Sequence, residues 1–286
     1  MKRRPIAVVL AAASMFASSH AAASGVADVP LRDGDRAGVR LSTTATASPQ
    51  STAVKTLALV PALAGALRLS RRWTVTADAG LSMTSYRFAD QERGGVARLA
   101  NPLLGAQLTA FQSERVQLRI GAVAGAPLVT VPGGITANAA AEHADRAATA
   151  ATGQRVYWLW ARNSVPLVAL ARLEYTIEEL VVRVDLEPGV LLSVNRDPSS
   201  VALLGAFEAA MRIDSFSPGL RLTSLFTSRQ RDTNDFSQTT AAAFLRWDGE
   251  KVFGAAEVVT GIDEPQGLTR ADQTSWGATL AVGARF

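Results

Sequence analysis

Hydrophobic and polar positions alternate with a period of two along most of this 286-residue chain. In its closing stretch, TSWGATLAVGARF, residues Trp276, Ala278, Leu280, Val282, Ala284 and Phe286 share one parity, while Ser275, Gly277, Thr279, Gly283 and Arg285 share the other. Successive side chains of a strand point to opposite faces, so this is a strand with one apolar face. EKVFGAAEVVTG upstream repeats the pattern, and IDEPQGLTRADQ between the two reads as a polar loop. The same spacing, followed backwards, predicts strands at 238–247, 218–227, 200–213, 179–194, 165–175, 116–126, 103–111, 73–88, 55–69 and 37–46. With the final two they number twelve, and uncertainty in the boundaries allows ten to fourteen.

The connections alternate in length. Tight ones fall at Ser70-Arg71-Arg72, Gln112 to Arg115, Tyr175 to Glu178, Asp214 to Ser217 and Asp248-Gly249-Glu250. Longer ones fall at 89–102, 127–164, 228–237 and 262–272, with shorter breaks at 47–54 and 195–199. An even number of strands, with tight turns on one rim and long loops on the other, is the layout of an outer-membrane barrel. The predicted fold is therefore all-β: a transmembrane antiparallel up-and-down β-barrel over residues 37–286, with its long loop at 127–164.

The two faces differ as a barrel requires. One carries Trp73, Val75, Ala77, Ala79, Leu81 and Met83, then Val116, Leu118, Ile120, Ala122 and Ala124, then Val201, Leu203, Phe207, Met211 and Ile213, with no charge among them. That suits contact with hydrocarbon. The opposite face carries Asp78, Arg119, Arg172, Glu174, Arg183, Asp185, Glu187, Glu208, Arg212, Arg221, Arg246 and Glu257, together with Arg68 and Arg285. Charges at these positions point into a lumen. Eight arginines there face six acids, so neither sign dominates, which fits a plugged, cross-braced barrel or a weakly selective narrow channel better than a strongly ion-selective pore. For interfacial girdles the chain offers Trp73, Trp247, Phe253, Trp276 and Phe286 on the turn side, and Tyr157, Trp158 and Trp160 on the loop side.

The start of the chain adds a destination. Lys2, Arg3 and Arg4 precede an apolar run from Ile6 to Ala17 and the small residues Ala21-Ala22-Ala23, which reads as a cleaved signal peptide over residues 1–23. The run is too short for a membrane-spanning helix. Residues 24–36 are then a short N-terminal leader. Cleavage removes three of the 29 basic residues and none of the 25 acids, so the mature chain is nearly neutral and no nucleic-acid partner is expected. The chain has no cysteine, which excludes disulfides, thiolate metal sites and a lipoprotein anchor. No other stretch is long and apolar enough for a transmembrane helix.

The alternating row that closes on Phe286 resembles the C-terminal signature strand of Gram-negative outer-membrane β-barrels. The resemblance implies that Trp276, Leu280, Val282 and Phe286 form an assembly signal read by the barrel-assembly machinery, and that the barrel sits in the cell outer membrane among lipid and lipopolysaccharide. Ala284 departs from the larger residue usual in that family at its position.

Candidate chemistry is sparse. In the long loop, an Ala-rich segment from Asn138 to Ala151 with a Glu142/Arg146 pair predicts a short helix that Gly153 ends. Glu142, His143 and Arg146 are thus candidates for a loop plug that narrows the mouth. His143 is the one histidine beyond the signal peptide; it lacks spaced partners for catalysis or metal binding. Outer-membrane lipid hydrolases place His and Ser on a strand near the membrane boundary, and here no strand histidine and no G-x-S-x-G elbow occurs. Asp185 and Glu187 share a face with Arg183, and a salt-bridge network explains the trio better than an acid–base dyad. Only about a dozen residues separate the cleavage site from the first strand, which leaves no autotransporter passenger. The sequence thus points to a non-enzymatic barrel that needs no cofactor or metal. Its leading reading is a narrow channel for small solutes; a closed structural or surface-recognition barrel comes second and a lipid-modifying enzyme third.

Overall fold

The computed structural model describes residues 29–51, 54–88, 93–129, 145, 148–149, 152–195, 198–228, 237–262 and 275–286. The segment expected to be a signal peptide lies outside the described residues, as do Glu142, His143 and Arg146. The strands are β1 (Ala37–Ser51), β2 (Val54–Arg68), β3 (Trp73–Phe88), β4 (Arg93–Leu99), β5 (Leu103–Gln112), β6 (Val116–Gly125), β7 (Ser164–Ile177), β8 (Leu180–Ser193), β9 (Ser200–Met211), β10 (Phe216–Thr227), β11 (Ser237–Asp248), β12 (Val252–Gly261) and β13 (Trp276–Arg285).

Consecutive strands pair antiparallel except β4 and β5, which both pair with β3, and β1 closes on β13 from Gly38↔Arg285 to Ala47↔Trp276. β4 and β5 share one stave. β4 pairs with the upper half of β3, from Leu81↔Leu99 to Arg87↔Arg93, and β5 with its lower half, from Trp73↔Leu108 to Asp78↔Leu103. The result is a closed barrel of twelve staves, one of them broken at Ala100-Asn101-Pro102. Proline lacks the N–H that a ladder needs, which accounts for a break there.

Predicted and observed strand boundaries agree to within a few residues, but β4 was expected to be loop. It spans seven residues, and on its outward parity Gly95 and Ala97 leave Leu99 as the one large apolar side chain among the described positions, so its lipid face does not register as a hydrophobic row. On the tight-turn rim, Glu178 and Asp214 hold positive φ of 52° and 54°, the conformation that two-residue hairpins demand.

The outward face is apolar: Leu41, Leu63, Phe207, Leu220, Leu280 and Val282 are between about half and two-thirds exposed. The buried residues therefore lie in the bore, in three levels. Near the long-loop rim is an apolar cluster of Val60, Leu103, Val123, Val168, Leu191 and Leu204 around Trp158, Leu159 and Trp160. At mid-height lies a belt of arginines and carboxylates. Near the tight-turn rim Val29 and Leu31 pack on Ala64, Ala66 and Phe253.

Four girdle expectations are corrected by this layout. Phe253 is 5% exposed and faces the bore, where its ring lies 5.1 Å from the Arg285 guanidinium. Trp276 opens β13 on the long-loop side. Trp158 and Trp160 are buried inside the barrel, because the loop that carries them turns inward. Trp73, Trp247 and Phe286 are exposed at the tight-turn end.

Candidate functional site

The bore is filled by chain segments that enter from both ends. The upper one is the loop between β6 and β7. Asp145, Ala148 and Thr149 are helical, with the Thr149 hydroxyl donating to the Asp145 carbonyl at 2.9 Å and the Thr152 hydroxyl to the Ala148 carbonyl at 3.0 Å. Gly153 follows at φ +62°, and a Cβ there would lie 2.7 Å from the Val259 side chain, so only glycine fits both the backbone and the space. The chain then makes a 3-10 turn, Tyr157–Trp160.

That turn is the stopper. Trp158 is fully buried, its Nε1 donates to Glu187 at 2.8 Å, and its ring lies against Gly189, where a Cβ would come within 2.6 Å of the indole. The sequence reading located the plug in the Ala-rich segment. Its candidates Glu142, His143 and Arg146 lie outside the described residues; of that segment Asp145, Ala148 and Thr149 are buried, with Ala148 in the cluster around Trp158, and the large side chains of the loop follow Gly153.

Asn101, at the break in the stave, ties the loop to the wall. It is fully buried; its backbone N–H donates to the Leu159 carbonyl at 2.8 Å, its Nδ2 to the Ala161 carbonyl at 2.6 Å, and its Oδ1 accepts from the Val129 N–H at 2.8 Å. The sequence reading placed Asn101 only within the 89–102 connection and gave it no role. The loop's two feet also meet directly, with the Asn163 N–H donating to the Val129 carbonyl at 2.8 Å.

Polar contacts complete the docking. Asp145 receives Arg98 of β4 at 3.2 Å and Arg162 at 2.6 Å. Arg155 pairs with Glu257 at 3.1 Å, and Thr240 donates to the Gly153 carbonyl at 3.1 Å. Burial pulls the pKa of the Arg155 guanidinium down to about 9, against the opposing pull of the Glu257 carboxylate.

The mid-height charges form a chain along the wall. Arg172 meets Asp185 at 2.6 Å, and Arg183 meets Asp185 at 3.2 Å and Glu208 at 3.1 Å. Glu208 also takes a bidentate grip from Arg246 at 2.6 and 2.5 Å and lies 3.8 Å from Arg221. Arg221 reaches Glu257 at 2.5 Å. These pairs join neighbouring or next-but-one staves from β7 to β12, so they line one side of the bore and do not cross it. The expected cross-bracing is replaced by a lining, because the shear of the barrel puts these residues at one level on adjacent strands. Arg212 approaches Glu174 at 3.9 Å below them, Arg119 borders the lower bore, and Asp78 lies across the lumen on β3.

The lower segment is Val29–Arg36, part of the expected leader. Arg68 donates to the Arg32 and Leu31 carbonyls at 2.9 and 3.2 Å, Arg32 pairs with Asp248 at 2.9 Å, and Arg285 also pairs with Asp248. Gly38 opens the space, since a Cβ there would meet Val29 at 2.5 Å and Leu31 at 2.9 Å. Among the described residues no three His, Cys, Asp or Glu side chains converge as metal ligands would.

Solved structures with the same fold cover most of the chain. An outer-membrane channel from Pseudomonas putida F1 superposes with a TM-score of 0.63 at 11% identity, over 93% of this chain and all of that one. The translocator domain of the autotransporter NalP from Neisseria meningitidis gives 0.55 at 10% identity, over 88% of this chain and 89% of that one. The NanC porin gives 0.52 at 9% identity, over 86% of this chain and all of that one. No family model matches the sequence, and neither does any curated protein. The fold is that of outer-membrane β-barrels.

Proposed function

We propose that this barrel is a gated, narrow channel for small solutes in the outer membrane, closed in the present conformation by the β6–β7 loop from outside and by Val29–Arg36 from the periplasm. One observation carries the reading: the bore is blocked by inserted segments, while the strand side chains line it. The ion pairs of the belt run along the wall, so moving the loop uncovers a polar, charged passage. Export by the residue 1–23 signal, and insertion guided by the outward row of Trp276, Leu280, Val282 and Phe286, bring it to the membrane. That two of the similar structures are a channel and a porin supports the reading.

The loop can be removed cleanly because Val129 and Asn163 are hydrogen-bonded neighbours. Proteoliposomes that carry the mature protein with residues 131–161 replaced by a short Gly-Ser linker should swell in small sugars and amino acids faster than those carrying the intact protein. Equal rates, with the variant barrel folded, would remove the channel reading and favour the closed structural barrel.

A further inference from the structure

The loop fills the bore unevenly. Its aromatic side packs on β8, where Trp158 meets Glu187 and Gly189. Toward the opposite wall it leaves a cavity of about 50 Å³ between the Thr152–Trp160 segment and strands β1 to β3 and β11 to β13. A buried water needs about 10–15 Å³ of such space, so the cavity accommodates a ligand that displaces about three to five waters. A carboxylate of three or four carbons has that size.

The lining is rich in donors. Arg40 enters from β1, Arg155 from the loop and Arg246 from β11. Trp160 borders the same space; it is 4% exposed, and its Nε1 is buried without a hydrogen-bond partner among the described residues. A buried N–H without a partner costs free energy, and an acceptor in the cavity removes that cost. The Thr44 and Thr279 hydroxyls, 2.8 Å apart, supply a further donor on the far side. Val60 and Phe244 supply an apolar part of the wall.

Charge points the same way. Five guanidiniums, those of Arg155, Arg172, Arg183, Arg221 and Arg246, share three carboxylates, Asp185, Glu208 and Glu257, in the continuous chain of pairs. Adding Arg40 on one side and Asp78 and Glu187 on the other leaves an excess of one positive charge at this level. An excess of positive charge inside the bore attracts an anion. Two acids border the cavity: Glu257, engaged by Arg155 and Arg221, and Asp78, on the β3 wall, against the three guanidiniums of Arg40, Arg155 and Arg246.

We infer that this cavity is a binding site for a small organic monoanion, a short-chain carboxylate. Its carboxylate sits against Arg40, Arg155 and the Trp160 N–H, and its alkyl end against Val60 and Phe244. The inference deepens the channel reading by naming a substrate class and rests on that reading for its meaning as a transport subsite; the binding itself is measurable without conduction.

The test is saturation-transfer NMR on the refolded mature protein with three isosteric probes: butyrate, 1-butanol and butylammonium. Butyrate should bind saturably in the millimolar range, and each of the other two at least about tenfold more weakly. Trp160→Phe, which keeps an aromatic side chain and deletes the N–H, should weaken butyrate by roughly three- to tenfold, and Arg40→Gln by about tenfold or more. Both variants are checked for the folded barrel by circular dichroism. Equal binding of butyrate and 1-butanol, absence of saturable butyrate binding, or unchanged affinity in both folded variants would overturn the inference. Swelling without butyrate binding would remove the site and leave the channel, and butyrate binding without swelling in the loop-replaced protein would remove the channel and leave the site.

Discussion

The two segments that close the barrel are built differently. The upper one buries two indoles and Leu159, takes two hydrogen bonds from the Asn101 side chain and backbone, and is tied by ion pairs from Arg98 and Arg155. The lower one buries only Val29 and Leu31 and is held mainly through Arg68, Arg32 and Asp248 at the half-exposed rim. Ion pairs at a wetted rim contribute little, whereas each buried indole removes a large apolar area from water. The upper closure is thus the tight one, and the lower closure opens more easily. On the proposed channel reading, a solute that crosses must displace both.

Breaking the upper closure at its anchor should have the largest effect of a single substitution. Asn101→Ala leaves the Ala161 carbonyl and the Val129 N–H buried without partners, at a cost of about 2–4 kcal/mol in loop docking. Amide hydrogen exchange across 152–163 should accelerate accordingly while β8 and β9 stay protected. Acceleration throughout the barrel would mean that Asn101 supports the wall and not the loop.

Gly189→Ala presses on the same closure from the wall, because the new methyl meets the Trp158 ring. Overpacking of this kind costs about 1–3 kcal/mol. A red shift and stronger iodide quenching of tryptophan emission, abolished when Trp158→Phe is added, would identify Trp158 as the displaced ring. An emission spectrum unchanged from the parent would contradict the packing.

The smallest effect belongs to the lower closure. Val29→Ala removes two buried methyl groups, worth about 1.5 kcal/mol. Because that segment is the weaker of the two, trypsin added from the periplasmic side should cut after Arg32 or Arg36 several times faster in the variant. Cleavage at an unchanged rate would show that the arginine contacts alone hold the segment.

Most of the wall was legible in the sequence, and the contents of the bore were much less so. Lipid outside and a charged lumen inside impose opposite chemistries on successive residues, so strands such as β3 and β9 announce themselves by parity. β4 did not, since Gly95 and Ala97 leave Leu99 as the one bulky side chain on its outer face among the described positions. Tyr157-Trp158-Leu159-Trp160 carries the composition of an interfacial girdle, and no local pattern says whether an aromatic run on a loop meets headgroups or turns inward. The direction is set by Asn101, which lies 58 residues before Leu159 in sequence and gives no periodic signal. The lumen charges were readable one by one, but their grouping on one side of the wall depends on the register between strands, which a single sequence does not display.

The central claim is that two inserted segments in series close a bore whose wall is otherwise open. Single-channel conductance in planar bilayers tests it most directly, with four proteins compared: intact, residues 131–161 replaced by a linker, residues 24–35 deleted, and both changes together. The account predicts no steady steps from the intact protein or from the N-terminal deletion alone, small or flickering steps from the loop replacement, and large stable steps from the double variant. A folded double variant that stays silent would contradict it.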